Sequence, residues 1–202
     1  MLGALIMQQL RTPLHPTTSC RGLTLVEVLV ALVVLGVIVA LASPSLADMM
    51  ERRRVVAAMG ELTSMINFAK SETNAVGDVL DLHLEPSVDS QISCARLVTQ
   101  SVFDTCGCDV ASAKVCRNGS SAMVREFLLP KSTGVSFLAT ADSWPAGNAL
   151  SFTRNLHYAT PQNFRLTVTG QRTGAQLRIQ LNDMGRVHVC SPSASIGGYP
   201  AC

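Results

Sequence analysis

Apolar residues are continuous near the start of the chain and periodic after it. Residues 23–42 are apolar or small except for Thr24 and Glu27. As an α-helix they would span about 30 Å, the hydrocarbon thickness of a bilayer. After Pro44 apolar residues recur at helical spacing to about Val76. They are Met49, Val56, Met59, Leu62, Met65, Ile66, Phe68 and Ala69. The pattern predicts one long helix with an apolar half and an amphipathic half.

Period-two alternation replaces helical spacing from Val79 onward. Leu80, Leu82 and Leu84 alternate with polar residues, which predicts a strand that ends at Pro86. Further strands are predicted at residues 123–129, 134–139, 149–153, 164–169, 176–181 and 186–190. Turn-forming residues separate the last three, which predicts a terminal antiparallel meander. The predicted fold class is α+β, with the long N-terminal helix packed on a C-terminal antiparallel β-sheet.

Glu27 is the one charged residue of the apolar run. A charge at membrane depth costs about 2.5–3.5 kcal/mol on insertion scales, so such a residue normally has a partner and a function. Arg21 and Gly22 precede the run, whereas a secretory signal has a shorter apolar core and a small-residue cleavage site after it. Two cleavage sites therefore stay open: one at Gly22, which would release a polar leader, and one at the Ala-Leu-Ala of residues 40–42.

Residues 21–27, Arg-Gly-Leu-Thr-Leu-Val-Glu, resemble the N-terminal signature of the prepilins of type IV pili and type II secretion systems. In that signature a basic residue and Gly precede the cut, and Glu is the fifth mature position. Leu23 stands where Phe is commonest. The resemblance implies insertion into the bacterial inner membrane, cleavage between Gly22 and Leu23 by prepilin peptidase, and N-methylation of Leu23. Other pilins or pseudopilins and an inner-membrane assembly platform are the implied partners.

The same resemblance implies the organisation of the chain. We expect a prepilin leader at residues 1–22 that is removed, a transmembrane and filament-core helix at 23–43, and a periplasmic pilin-like domain at 44–202. Cleavage would create an ammonium at Leu23, four residues from Glu27 on the same helical face. Pairing of the two, within a subunit or between neighbours, would make Glu27 the assembly residue. The alternatives are that Glu27 is a tolerated charge, or that the chain is a single-pass periplasmic domain that does not polymerise.

The cysteines indicate an oxidising compartment. The chain has seven, of which Cys20 would leave with the leader. The remaining even set is typical of a periplasmic disulfide framework. It consists of Cys94, Cys106, Cys108, Cys116, Cys190 and Cys202. Pilins commonly close a C-terminal loop, so Cys190 is expected to pair with Cys202, and the other four among themselves in an open order. Metal binding at Cys106-Gly-Cys108 is the alternative, although zinc ligands favour two to four intervening residues.

The charges on the two sides of the apolar run predict opposite orientations in the membrane. Arg11 and Arg21 precede it without an acidic residue, which predicts a cytoplasmic leader, whereas the arginines at 52–54 oppose this. We expect the charges of the leader to set the orientation, because the charges before the first membrane helix usually dominate and the cysteines need an oxidising compartment. The start of translation, at Met1 or at Met7, stays open.

Charge is uneven along a chain that is nearly neutral overall. Residues 55–110 contain two basic and eight acidic residues, and residues 111–202 contain nine basic and three acidic ones. Either the opposite charges meet within the domain or between stacked subunits, or the basic half binds DNA. The candidate DNA contacts are Arg165, Arg172, Arg178 and Arg186.

The overall layout most resembles the minor pseudopilins of the GspH/FimT type, in which a C-terminal Gly-Arg-x-Arg motif is associated with DNA uptake. The matching residues are Gly185-Arg186-Val187-His188, where His188 replaces the second Arg and attracts phosphate less near neutral pH. The predicted function is a minor pilin or pseudopilin, which initiates or joins a type IV pilus or a type II secretion pseudopilus. A DNA receptor for DNA uptake is the alternative.

Sequence motifs for catalysis are absent. There is no Gly-x-Ser-x-Gly, no His-Glu-x-x-His and no phosphate-binding Gly loop, and His83, His157 and His188 are isolated in sequence. A triad assembled in space stays the alternative. We therefore expect neither an enzyme nor a cofactor. His83 and His188 are expected on polar strand faces, and Trp144 is expected to anchor a loop in the core.

Overall fold

One α-helix, α1, extends over Leu25–Val76 in the computed structural model, which describes residues 22–85, 92–99, 116, 121–142, 149–154, 163–182 and 185–202. Pro44 lies inside α1, which continues past it although a proline removes one intrahelical hydrogen bond. Gly77 follows the helix with a φ of 84°, a left-handed conformation that glycine adopts without steric cost. The prediction of one long helix ending near Val76 is confirmed.

Eight strands follow α1 in the described parts of the chain and form two antiparallel sheets. They are β1 (Leu80–Glu85), β2 (Ile92–Thr99), β3 (Met123–Pro130), β4 (Val135–Thr140), β5 (Ala149–Phe152), β6 (Arg165–Gly170), β7 (Gln176–Leu181) and β8 (Val187–Cys190). The first sheet has the order β3-β2-β1-β5 and the second the order β4-β6-β7-β8. A 3-10 turn, Lys131–Thr133, connects β3 to β4. The α+β class and the terminal antiparallel meander are both confirmed.

Two features of the sheets differ from the prediction. The strands form two sheets where one was expected. Strand β2 was not predicted, because six consecutive residues of it, from Ser93 to Val98, are buried and its two faces are both covered. A strand covered on both faces shows no apolar and polar alternation, which is the signal that identified the other strands.

The larger of two buried apolar clusters in the described residues contains side chains of α1 and of both sheets, and it lies within Ser43–Cys202, one of the two units into which the chain divides. The buried residues of α1 recur at helical spacing and are Glu51, Val55, Ala58, Met59, Leu62, Met65, Ile66, Ala69 and Thr73. Met49, predicted on the same stripe, is 44% exposed, so the buried face begins at Glu51. His83 alternates with the buried leucines of β1 as predicted, but it is itself buried.

Candidate functional site

The start of α1 is a capped helix N-terminus. Thr24 precedes the helix, and its side-chain oxygen Oγ1 accepts the backbone N–H of Glu27 at 3.2 Å. Thr at the N-cap with Glu three residues later has the spacing of a capping box, which stabilises a helix N-terminus. The Glu27 carboxylate also lies in the first turn, where the helix dipole favours a negative charge. Sequence reasoning missed this role, although the Thr-x-x-Glu spacing was available to indicate it.

The segment that follows is apolar and exposed. Every large apolar side chain from Leu23 to Leu41 is exposed, with Leu23 itself 74% exposed. The most apolar part of α1 has a mean hydropathy of 3.0 and none of it is buried. By length and composition this part of the helix is able to cross a membrane.

A buried carboxylate, Glu51, fixes α1 to the turn between β6 and β7. It is 6% exposed, and it accepts the backbone N–H groups of Arg172 at 2.9 Å and Thr173 at 2.7 Å. Burial by itself raises the pKa of Glu51, but the hydrogen bonds from the Thr173 side chain and from these two N–H groups, with the Arg172 charge, hold the pKa below its ordinary value. Glu51 is therefore an anion recognised by the turn.

The turn is shaped around that carboxylate. An added Cβ at Gly170 would lie 3.0 Å from Cδ and Oε2 of Glu51, so the carboxylate would have to move to make room for any larger residue. Arg172 points back along the helix, where its Nη2 donates to the carbonyl oxygen of Pro44 at 3.0 Å and pairs with Asp48. The Glu51 contact, as we call residues Asp48 and Glu51 with Arg172 and Thr173, thus joins α1 to the second sheet.

Two arginines beside Glu51 reach two further loops. Nη1 of Arg52 donates to the carbonyl oxygen of Ser195 at 2.6 Å, and Nη1 of Arg54 donates to that of Thr133 at 3.0 Å. Ser195 lies in the C-terminal loop that a disulfide between Cys190 and Cys202 closes. One turn of α1 therefore contacts three separate loops of the domain.

The four arginines proposed as DNA contacts do not form one cluster. Arg172 is held by Asp48 and Pro44 in the Glu51 contact. Arg165 and Arg178 share the outer face of the second sheet, where Nε of Arg178 donates to the Thr167 hydroxyl at 3.3 Å. Arg186 precedes β8, and its backbone N–H donates to the side chain of Asn182 at 2.8 Å. The predicted strands contain Arg165 and Arg178 as observed, but Arg186 was predicted on the last strand, which begins one residue later at Val187, and the sequence did not separate Arg172 from the rest.

A polar groove lies at the Arg165 end of this face. In the strand register Arg165 is opposite Gln180, and Gln180 is opposite His188, so the three form a row across β6, β7 and β8. The groove has a volume of about 450 Å³ and is lined by Asn163, Phe164, Arg165, Gln180, Leu181, Asn182 and His188. Arg165 and His188 are exposed in it. The predicted polar strand-face position of His188 agrees with this placement.

The structure tests some of the predicted disulfides. Cys190 and Cys202 are bonded, with the sulfur atoms 2.06 Å apart, which confirms the predicted pair. Cys94 and Cys116 are disulfide-bonded as well, whereas Cys106 and Cys108 lie outside the described residues. Within the described part of the chain, no group of three or more potential metal ligands is found.

Part of the uneven charge is neutralised inside the domain. Arg125 on β3 pairs with Glu61 on α1 at 3.2 Å, and its guanidinium lies 5.8 Å from the centre of the Phe68 ring. Arg96 on β2 pairs with Glu126 on β3 at 2.6 Å, with the Arg96 side chain 4% exposed. Both pairs join the first half of the domain to the second, but only Arg125–Glu61 compensates the excess charges, because Arg96–Glu126 pairs the minority charge of each half.

The described residues define a class of protein: a disulfide-bonded α+β domain carried by a helix whose first half is apolar enough to span a membrane. Residues 17–43 match the prokaryotic N-terminal methylation motif, which confirms the predicted prepilin-type N-terminus. No curated protein sequence matches this chain.

Two solved structures are similar to it. The type IV minor pilin FimU of Pseudomonas aeruginosa has 16% sequence identity and a TM-score of 0.48, over 74% of this chain and 97% of that one. The minor pseudopilin EpsH from the Type 2 Secretion System of Vibrio cholerae has 15% identity and a TM-score of 0.45, over 68% of this chain and 97% of that one. At such identities and scores, the two likenesses assign no function.

Proposed function

We propose that this chain is a minor pilin or pseudopilin, a structural subunit that initiates or joins a type IV pilus or a type II secretion pseudopilus. The match of residues 17–43 to the N-terminal methylation motif, at the start of an exposed apolar helix, carries the proposal. An apolar surface of that length must be covered by lipid or by protein. A subunit of this kind has both environments in turn: lipid surrounds the apolar helix in the membrane, and neighbouring subunits surround it in the filament.

The proposed order of events starts with insertion into the inner membrane, with the domain at 44–202 in the periplasm. Prepilin peptidase then removes residues 1–22 by cutting between Gly22 and Leu23, and Leu23 is N-methylated. The assembly platform transfers the subunit from the bilayer to the filament, where neighbouring pilins or pseudopilins replace the lipid around residues 23–43.

Glu27 has a specific part in this order. Its backbone N–H is bound by Thr24, while its carboxylate has no hydrogen-bond or ion-pair partner within the described residues. Cleavage supplies one, because the ammonium of Leu23 is four residues away and carries the opposite charge. A pair between neighbouring subunits would connect processing to assembly, since an uncut chain lacks the ammonium.

The mature N-terminus tests the proposal directly. The full chain is produced with and without a prepilin peptidase, and its N-terminal peptide is analysed by mass spectrometry. We expect a chain that begins with N-methylated Leu23 when the peptidase is present. Gly22→Val should block the cut and Gly36→Val should not; neither substitution has another group within 4 Å of the new Cβ. An intact leader in the presence of the peptidase, or a cut after Ala42, would contradict the proposal.

A DNA receptor is the second candidate, and the row Arg165, Gln180 and His188 favours it. The groove beside this row presents one guanidinium, one imidazole and three side-chain amides on an exposed face. We expect duplex DNA to be retained by the detergent-solubilised full chain, and retention to fall with salt. Arg165→Ala with Arg178→Ala should weaken retention, and Arg125→Ala, which removes a cation of the first sheet, should not. No retention at low salt would exclude this function.

A further inference from the structure

Four cations lie together where α1 enters the domain. Arg52, Arg53 and Arg54 are consecutive on the helix and exposed, and the Arg54 bond to Thr133 brings in the 3-10 turn that begins with exposed Lys131. These four residues are called the basic cluster. Arg53 and Lys131 have no side-chain partner among the described residues. Arg52 and Arg54 donate to carbonyl oxygens, which are neutral and leave both charges uncompensated.

The acidic residues nearby do not neutralise the basic cluster. Residues 43–60 contain two, Asp48 and Glu51, and Arg172 compensates one of these two charges, so the four cations of the cluster exceed the remaining negative charge by three. The loops that Arg52 and Arg54 reach, residues 191–198 and 130–136, contain no acidic residue. The surface around the cluster is therefore cationic.

Exposed apolar side chains precede the cluster on the same helix. Leu46 is 55% exposed, Met49 44% and Met50 52%. Arg52 follows Ala42, the end of the apolar run, by ten residues, which is about 15 Å of helical rise. The headgroup layer is about 5–7 Å deep on each side of the hydrocarbon, and electrostatic attraction extends about 8–10 Å further. A helix inserted up to Ala42 therefore has its basic cluster within reach of the headgroups.

We infer that the basic cluster binds the anionic phospholipid headgroups of the bilayer in which α1 is inserted. The inference rests on the proposed membrane insertion. Apolar side chains between the hydrocarbon and a group of arginines are typical of a membrane interface, because long basic side chains extend toward the phosphates of the headgroups. The adjacent exposed leucine and methionines favour a lipid surface over DNA, which would leave them in water.

Binding of this kind gives the cluster a function before assembly. It holds the domain close to the bilayer, and it is released when the subunit leaves the membrane. Arg52 and Arg54 are pre-positioned by Ser195 and Thr133, so less side-chain entropy is lost when they bind phosphate.

Hydrogen exchange of the full chain in nanodiscs tests the inference. One disc contains phosphatidylcholine alone, and the other contains phosphatidylcholine with phosphatidylglycerol. We expect slower amide exchange in residues 46–56 and 131–135 in the anionic disc. Arg53→Ala with Lys131→Ala should reduce the difference in amide exchange between the two discs about fivefold per cation removed. Arg165→Ala with Arg186→Ala removes two exposed charges elsewhere and should leave it unchanged.

The outcomes separate this inference from the proposed function. If the chain inserts into both discs and exchanges equally, the inference is wrong and membrane insertion stands. If it inserts into neither, the proposed function fails. If duplex DNA added to detergent-solubilised chain protects the same peptides as strongly as the anionic disc, the cluster binds polyanions in general and the lipid assignment is overturned. An intact Cys190–Cys202 disulfide by mass spectrometry verifies that the variants are folded.

Discussion

The carboxylate of Glu51 binds the backbone N–H of Thr173 at 2.7 Å, which connects the first buried position of α1 to the turn between β6 and β7. Because the carboxylate also binds the N–H of Arg172, two backbone donors of the turn are satisfied by one side chain of the helix. Both hydrogen bonds are partly buried, and donors that lose a charged acceptor there cost stability, so this relationship makes Glu51 a stability residue.

Replacing Glu51 by alanine should destabilise the domain by about 2–4 kcal/mol, since two backbone donors lose their acceptor. Urea unfolding of the detergent-solubilised chain measures the change. Glu61→Ala is the matched control, because Glu61 is an exposed carboxylate of the same helix with one ion pair, and it should cost about 1 kcal/mol or less. Equal losses in the two variants would show that burial of Glu51 does not matter.

The stability that Glu51 contributes should depend on pH. Its pKa is lowered in the folded state, so the contribution is complete above the ordinary glutamate pKa of about 4.3 and is lost as the pH falls through the lower folded pKa. Unfolding of the wild type and Glu51→Gln is compared at about pH 6 and at about pH 3. The difference between their free energies of unfolding should be smaller at the acidic pH. A difference that grows on acidification would have the wrong sign for an anionic Glu51.

Two glycine-to-alanine substitutions should have opposite signs. Gly170→Ala places a Cβ 3.0 Å from the Glu51 carboxylate and should destabilise by about 1–3 kcal/mol. Gly60→Ala adds a methyl group inside α1 that meets nothing within 4 Å beyond the backbone of the helix itself, and it should stabilise by about 0.5–1 kcal/mol. Thermal unfolding of both variants checks the signs. A neutral Gly170→Ala would mean that the turn relaxes away from Glu51.

Glu27→Gln removes the charge of Glu27 and keeps its backbone. The bond from the N–H of residue 27 to Thr24 does not involve the carboxylate, so the helix start should persist, but the amide carries no charge to form an ion pair with the Leu23 ammonium. We expect normal insertion and processing with at least a tenfold loss of incorporation into filaments, about the effect of 1.4 kcal/mol. Immunoblots of sheared filaments and of membranes measure it, with Glu61→Gln as the control. Normal incorporation of Glu27→Gln would contradict an assembly role for the Glu27 charge.

Local sequence patterns predicted the helix, seven of the eight strands in the described residues and the N-terminal motif. The apolar run, the helical spacing to Val76 and the meander of β6 to β8 depend on neighbouring residues, so a linear reading finds them. The pairing of Cys190 with Cys202 came from family resemblance, and the bond is present.

The Glu51 contact could not be predicted in the same way. The acceptor on α1 and its donors in the turn are 121 and 122 residues apart in the chain, and no local pattern connects them. Arg172 looked like any exposed arginine of the basic half, since nothing in its neighbourhood along the chain indicates Asp48 or Pro44 as partners. Met49 was assigned to the buried stripe by spacing, because periodicity does not tell where the domain begins to cover the helix.

The contacts of Glu51, Arg52 and Arg54, within one turn of α1, have a mechanical consequence. Each reaches a different loop: the β6–β7 turn, the C-terminal loop at Ser195 and the 3-10 turn at Thr133. A pull along the axis of α1 is therefore shared among three load paths that enter the domain at the same helical turn. Since the C-terminal path ends in a covalent crosslink between Cys190 and Cys202, tension applied to the helix reaches a disulfide-closed loop as well as the sheet.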